Sequence, residues 1–289
     1  MLTLHPHDLV RPDATIRYWT GGDTGPTVVL LHGATLDHRA WGPQTEALAE
    51  AFRVVVPDLR GHGASDGRFD FEETVQDILA LLDRGRAPEV VLVGLSLGAN
   101  VAQEVLRRAP DRVRAIVVAD ATCNTAARAP WEASMTVATL TAQAQLTGAE
   151  FGRYAARATA LDPRVQDYAL AANAHRSNSE TVAILSSLVN TALRPEPGYR
   201  LPVPALLVHG DHDRIGDIAT ATRGWAEREP LAEYAVITRA GHASNLDNPE
   251  EFTAVLLEFL GRHVADCSTG AGGVAPSARL CLAGRAGKE

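Results

Sequence analysis

Short runs of uninterrupted apolar residues punctuate the chain: Val28–Leu31, Arg53–Val56, Val90–Val93, Ala115–Ala119, Ala205–Val208 and Tyr234–Ile237. Each is bounded by Gly, Pro or charge. A strand with one wet face alternates apolar and polar residues; these do not alternate, so both of their faces are expected to be covered. Between them lie stretches with apolar residues at helical spacing: Trp41–Ala51, Phe71–Asp83, Leu97–Ala109, Ala219–Glu229 and Pro249–His263. Strand and helix in alternation predict an α/β fold with a mostly parallel central sheet and helices on both faces. The segments Leu2–Val10 and Ala14–Trp19 predict a hairpin added to one sheet edge.

One stretch interrupts this rhythm. Residues 122–200 offer no strand pattern and are rich in Ala, Thr, Leu and Gln. Asp162-Pro163 reads as a helix start, with Asp as cap and Pro in the first helical position. Asn178 or Ser179, just before Glu180, reads as another, and Arg194-Pro-Glu-Pro-Gly198 closes the stretch with helix breakers. The expected organisation is therefore a core of residues 1–121 and 201–264, a helical cap over 122–200, and a flexible C-terminal tail over 265–289 rich in Gly, Ala and Ser. An insertion between two strands can be a long crossover or a lid. The lid is the preferred reading, because loops at the C-terminal edge of such a sheet carry function.

Composition narrows the function classes. The chain has 289 residues and a net charge of −8, and its basic residues, nearly all Arg, form no block. Duplex nucleic acid and anionic membranes are poor partners for such a chain. Cys123, Cys267 and Cys281 are too few and too scattered for a disulfide framework or a zinc site, and no metal is expected. No run reaches the roughly 18 apolar residues of a membrane span. Charged and His residues within the first twenty positions leave no signal-peptide core, so a cytoplasmic location is expected.

The chemistry gathers where strands end. Val90–Val93 runs into Gly94-Leu95-Ser96-Leu97-Gly98, which leads into a helix. A Ser on so sharp a strand-to-helix turn needs nearly side-chain-free neighbours two positions away, and its hydroxyl stands at the positive end of the helix dipole. Ser96 is the candidate nucleophile. An attacked carbonyl needs two N–H donors for its developing oxyanion. Leu97 follows the nucleophile, and Ala34 follows the strand ending in His32-Gly33, so their amides are the candidates. His32 is read as structural, and Asp58 and His62 in Val56-Pro-Asp58-Leu-Arg-Gly61-His62-Gly63 as shaping their loop.

A nucleophilic Ser needs a base, and the base needs an orienting acid. His242 lies on the loop after the last strand. Asp213, in His209-Gly210-Asp211-His212-Asp213, is the preferred acid, with Asp120 in reserve. Asp211, His212 and Asp213 match no standard set of metal ligands.

Together these segments resemble the α/β-hydrolase family, whose mark is the nucleophile elbow with Ser, acid and His in that chain order. Here the order is Ser96, Asp213, His242. The resemblance covers roughly residues 14–120 and 200–263. It implies a cap domain in the inserted stretch. The phrase Ser244-Asn245-Leu246-Asp247-Asn248-Pro249 after His242 resembles the small-cap 3-oxoadipate enol-lactonases and related esterases. Family members that use an Asp nucleophile, the epoxide hydrolases and haloalkane dehalogenases, are disfavoured by Ser96. The expected activity is cofactor-free hydrolysis of a small carboxylic ester or lactone through an acyl-enzyme. A lyase, acyltransferase or perhydrolase on the same scaffold is the alternative, and a ligand-binding receptor-like protein a further one. Trp131, Met135 and Leu140, with Leu146, Phe151 and Tyr154, are candidate substrate-binding residues of the cap. The sequence leaves the oligomeric state open.

Overall fold

Strands with two apolar faces need a layer on each side, and the structure supplies both. The computed structural model describes residues 3–85, 87–127, 138, 142, 148–188 and 194–264. The expected tail over 265–289 lies outside them. Eight strands form one sheet: β1 (His5–Val10), β2 (Thr15–Gly21), β3 (Thr27–Leu31), β4 (Arg53–Pro57), β5 (Val90–Leu95), β6 (Val113–Ala119), β7 (Ala205–Gly210) and β8 (Ala232–Ile237). Their spatial order is β1-β2-β4-β3-β5-β6-β7-β8. The two N-terminal strands pair antiparallel at one edge, and β2 also meets β4 antiparallel; the remaining pairs are parallel.

The side-chain period of two divides each inner strand between two cores. Val29, Leu31, Leu92, Ile116, Val118 and Leu207 face one way. There they meet helices α2 (Phe71–Gly85) and α3 (Leu97–Arg108). Val28, Leu30, Val91, Val93, Val117 and Val208 face the other way. They are covered by helices α1 (Gly42–Leu48) and, numbered in chain order, α9 (Pro249–His263), whose Phe252, Leu256 and Phe259 are buried. The first helix starts later than its apolar pattern suggests. Residues His38–Trp41 form a 3₁₀ turn, with the Asp37 carboxylate accepting the Arg39 N–H.

The parallel register fixes where the strands end. Leu31 is opposite Gly94, Leu95 opposite Ala119, Ala119 opposite Val208, and Gly210 opposite Ile237. The C-terminal ends of five strands therefore form one row. The residues that follow them are His32-Gly33-Ala34, Ser96, Asp120, Asp211–Asp213 and the loop to His242. In an open parallel sheet this edge is where ligands bind.

Between β6 and β7 the described residues form helices α4 (Gly148–Thr159), α5 (Pro163–Asn173) and α6 (Asn178–Ser187). Asp162 caps α5 as its sequence implies. The cap of α6 is Ser177 rather than Asn178 or Ser179: its hydroxyl accepts the Glu180 N–H while the Glu180 carboxylate accepts the Ser177 N–H. After β7 come α7 (Ile218–Arg228) and the short α8 (Ser244–Asp247), which precedes α9.

The inserted helices are tied to the sheet by polar anchors. The Asp247 carboxylate accepts the N–H groups of Gly241, Leu161 and Asp162 at 2.7, 2.9 and 2.9 Å. The Ala243 N–H donates to the Thr159 carbonyl, and the Tyr168 hydroxyl to Asp37. Asp247→Ala would strip three N–H groups of their acceptor. It is expected to cost about 2 kcal/mol in urea unfolding, the penalty of leaving partly covered donors unpaired.

Candidate active site

The turn after β5 is set by steric necessity. Ser96 has φ 51° and ψ −115°, a left-handed conformation that a side chain rarely adopts. Its N–H still donates to the Ala119 carbonyl at 2.8 Å, extending the ladder by one residue before the chain turns into α3. A Cβ at Gly94 would lie 2.4 Å from Ala99 Cα, and one at Gly98 would lie 2.2 Å from the Leu31 carbonyl oxygen. Only glycine fits at either place, and the close packing holds the strained Ser between them.

Three side chains from separate loops meet here. The Ser96 Oγ lies 2.8 Å from Nε2 of His242, and Nδ1 of the same ring lies 2.9 Å from Oδ2 of Asp213. An ionised carboxylate only accepts, so Nδ1 carries the ring proton and Nε2 accepts from the Ser hydroxyl. The other oxygen of Asp213 accepts the Ile215 N–H at 2.9 Å, which fixes the carboxylate on its own loop. The Asp213 carboxylate is fully covered and the His242 ring nearly so. Asp211 turns away from this chain: its carboxylate accepts from the outward-facing His212 and from the Ala240 N–H.

The loop after β3 lies beside Ser96. A Cβ on Gly33 would be 3.5 Å from Ser96 Cβ, and Gly33 and Ala34 line the same cavity as Ser96 and His242. Leu97 is the first residue of α3, so its N–H has no acceptor within the helix. His32 is enclosed. Its Nδ1 donates to the Gly33 carbonyl and its Nε2 accepts the Leu59 N–H, which joins the loop after β3 to the end of β4. Asp58 accepts from the His38 N–H and ring and from the Ala64 N–H. Burial pushes the pKa values of His32 and His62 down, so both rings are neutral.

At His242 the balance differs. Burial disfavours the imidazolium, but the Asp213 hydrogen bond and the charges of Asp213 and Asp120 outweigh it and raise the pKa above 6.5. Asp37, His38 and Asp58 place ligand-type atoms within 4.8 Å of one another. Asp58 spends its oxygens on His38 and Ala64, and Asp37 spends its own on Arg39 and Tyr168. These are loop ties.

The cavity over Ser96 encloses about 520 Å³. Its walls are mostly apolar and include Leu36, Phe151, Tyr154, Leu185 and Ile215. A second space of about 550 Å³ shares Thr35, Phe151, Ala155 and Thr159 with it. Phe151 and Tyr154 thus reach the Ser96 cavity; Trp131, Met135, Leu140 and Leu146 lie outside the described residues. Sequence reasoning missed Leu185 and Ile215. It also missed the anchor Asp247, which sits in the quoted phrase after His242 but whose partners are more than eighty residues away.

Comparison with known proteins adds to this geometry. The model of the alpha/beta hydrolase family matches residues 28–255. A pimeloyl-[acyl-carrier protein] methyl ester esterase of Aromatoleum aromaticum is 32% identical over 248 residues, covering 81% of this chain and 97% of that relative. A thermophilic esterase from Thermogutta terrifontis, solved with malate bound, superposes with a TM-score of 0.75 at 24% identity over 92% of this chain and all of that one (100%). The enol-lactonase from Burkholderia xenovorans LB400 gives a TM-score of 0.72 at 24% identity, over 86% of this chain and 97% of that one.

The raised pKa of His242 has a measurable consequence. Its imidazole should titrate above 6.5 by NMR, and Asp213→Asn should lower the midpoint by about one unit or more, because burial then meets less opposition. A group raised on folding favours the fold most below its unfolded value. The stabilising contribution of His242 is thus full below 6.5 and is lost as pH rises through the folded value.

Proposed function

The chain belongs to the alpha/beta hydrolase family, and from that premise we propose that it is a serine hydrolase that cleaves a small carboxylic ester or lactone. The observation that supports this reading is the unbroken hydrogen-bond chain from Asp213 through His242 to Ser96. The esterase names of its relatives agree with it.

In the proposed reaction the Ser96 Oγ attacks the ester carbonyl carbon while Nε2 of His242 takes the hydroxyl proton. The carbonyl π electrons move to oxygen. The Ala34 and Leu97 N–H groups donate to that oxyanion; one such donor is worth roughly a hundred- to thousand-fold in rate. Asp213 holds the ring in the tautomer that accepts from Ser and stabilises the imidazolium. The intermediate collapses, the bond to the leaving oxygen breaks, and His242 returns the proton to the departing alcohol. A water then attacks the acyl carbon while His242 takes its proton; the acyl–Oγ bond breaks, the acid leaves, and His242 returns the proton to Ser96. No step needs a cofactor. In a lactone the leaving alcohol stays attached to the acyl group, so the product is a single hydroxy acid.

The inserted stretch 122–200 serves in this reading as a cap, with Phe151, Tyr154 and Leu185 forming the apolar roof that selects the acyl group. A cavity of about 520 Å³ suits a small or medium substrate. The substrate is read as a small-molecule ester or lactone. Among the described residues no helix is long and apolar enough to cross a membrane.

Fluorophosphonates react with activated serines whatever the natural substrate. Intact-mass analysis is expected to find one adduct on the wild type and none on Ser96→Ala. Hydrolysis of whichever ester proves active should fall by more than about 10⁴-fold in that variant with its thermal unfolding unchanged. A wild-type protein that is folded but takes no label would overturn the assignment.

A further inference from the structure

The end of β6 carries a second carboxylate that the proposed reaction does not use. Asp120 directly follows Ala119 and is completely buried. Its φ of 51° is left-handed, a conformation Asp tolerates better than most residues. The Asp120 N–H donates to the Val208 carbonyl at 2.9 Å, which fixes its backbone to β7.

The side chain reaches two other segments. Oδ1 accepts the Gly210 N–H at 2.9 Å. Oδ2 accepts the Ser244 hydroxyl at 2.5 Å and the Ser244 N–H at 3.2 Å. Gly210 lies three residues before Asp213, and Ser244 two residues after His242. One carboxylate thus holds the start of the acid loop and the far side of the base loop.

We propose that Asp120 is a positioning residue that ties the Asp213 loop to the His242 loop and whose negative charge supports the imidazolium formed when Ser96 attacks. This rests on the serine-hydrolase reading above. The charge matters as well as the geometry. A purely structural brace could be a neutral amide, whereas a buried carboxylate is costly unless its charge is used.

The titratable groups acting on Asp120 are His242 and Asp213; Gly210 and Ser244 face it with uncharged donors. Burial pushes its pKa up to about 7, with His242, Ser244 and Gly210 pulling down and Asp213 pushing further up. Asp120 and His242 are thus electrostatically linked, and each charged form favours the other. As pH falls through about 7, Asp120 takes up a proton and its field at His242 weakens. Between 3.8 and about 7 the folded chain keeps a proton that the unfolded chain releases, so the contribution of this group to stability declines as pH rises through that window.

The rate of fluorophosphonate labelling of Ser96 against pH tests the proposal without a known substrate. In Asp120→Asn the acid limb is expected to move down by about half a pH unit, and the limiting rate to fall roughly tenfold as the base loop loses its brace. A thermal melt within a few degrees of wild type would show that folding is not the cause. An unmoved acid limb with a rate within about twofold of wild type would overturn the proposal and leave the nucleophile assignment standing. Should Asp120→Asn not fold, Ser244→Ala decides. It removes one donor to Asp120, raises the carboxyl pKa, and should shift the limb in the same direction; no shift overturns the proposal. Absence of labelling in the wild type would sink the serine-hydrolase reading, and the role of Asp120 with it.

Discussion

Whether the groups of the site meet at all depends on one steric constraint, the left-handed backbone at Ser96 between two glycines that cannot carry a side chain. Gly98 lets α3 start against the end of β3, so Ser96 and the loop after β3, with Gly33 and Ala34, line one cavity. Gly94 lets the first turn of the helix fold back on its own strand. A larger residue at either place would push α3 off the sheet, and the hydroxyl would leave the row of strand ends on which His242 and Asp213 converge.

Electrostatics then separates residues that sequence chemistry alone would confuse. Four buried histidines lie close to strand ends: His32, His62, His209 and His242. His32 and His62 are held neutral by burial and spend ring nitrogens on backbone groups, and His209 bonds to the Gly210 carbonyl and the Tyr234 hydroxyl. His242 alone among them hydrogen-bonds a carboxylate, and that bond with the charges of Asp213 and Asp120 outweighs its burial. The same environment divides Asp120 from Asp213. One accepts only from backbone and a hydroxyl, and the other accepts from the imidazole.

The centre of the sheet was legible in the sequence because its inner strands are covered on both faces, which writes each of those as a continuous apolar run. The elbow was legible because its constraint is local: glycine, serine and glycine within five residues. What escaped depends on distance in sequence. Asp247 and Asp120 act on backbone N–H groups about eighty-five and ninety residues away, and no local pattern announces such pairs. The start of α6 was within reach, since the rule that places an acceptor three residues before a Glu selects Ser177. The missed cavity residues Leu185 and Ile215 look like ordinary apolar positions until the inserted helices are laid over the sheet.

Ser96 and His242 are separated by 146 positions in the chain. During synthesis the elbow therefore emerges long before the imidazole that would activate it, and a growing chain carries an inert alcohol. The partners can meet only after β7 and β8 have joined the sheet, the slow, non-local part of assembly for a parallel topology. On the proposed serine-hydrolase reading, hydrolytic power is thus acquired late, and a chain that lacks the last two strands carries the serine without its base. Appearance of label on Ser96 during refolding would time the docking of the last strands.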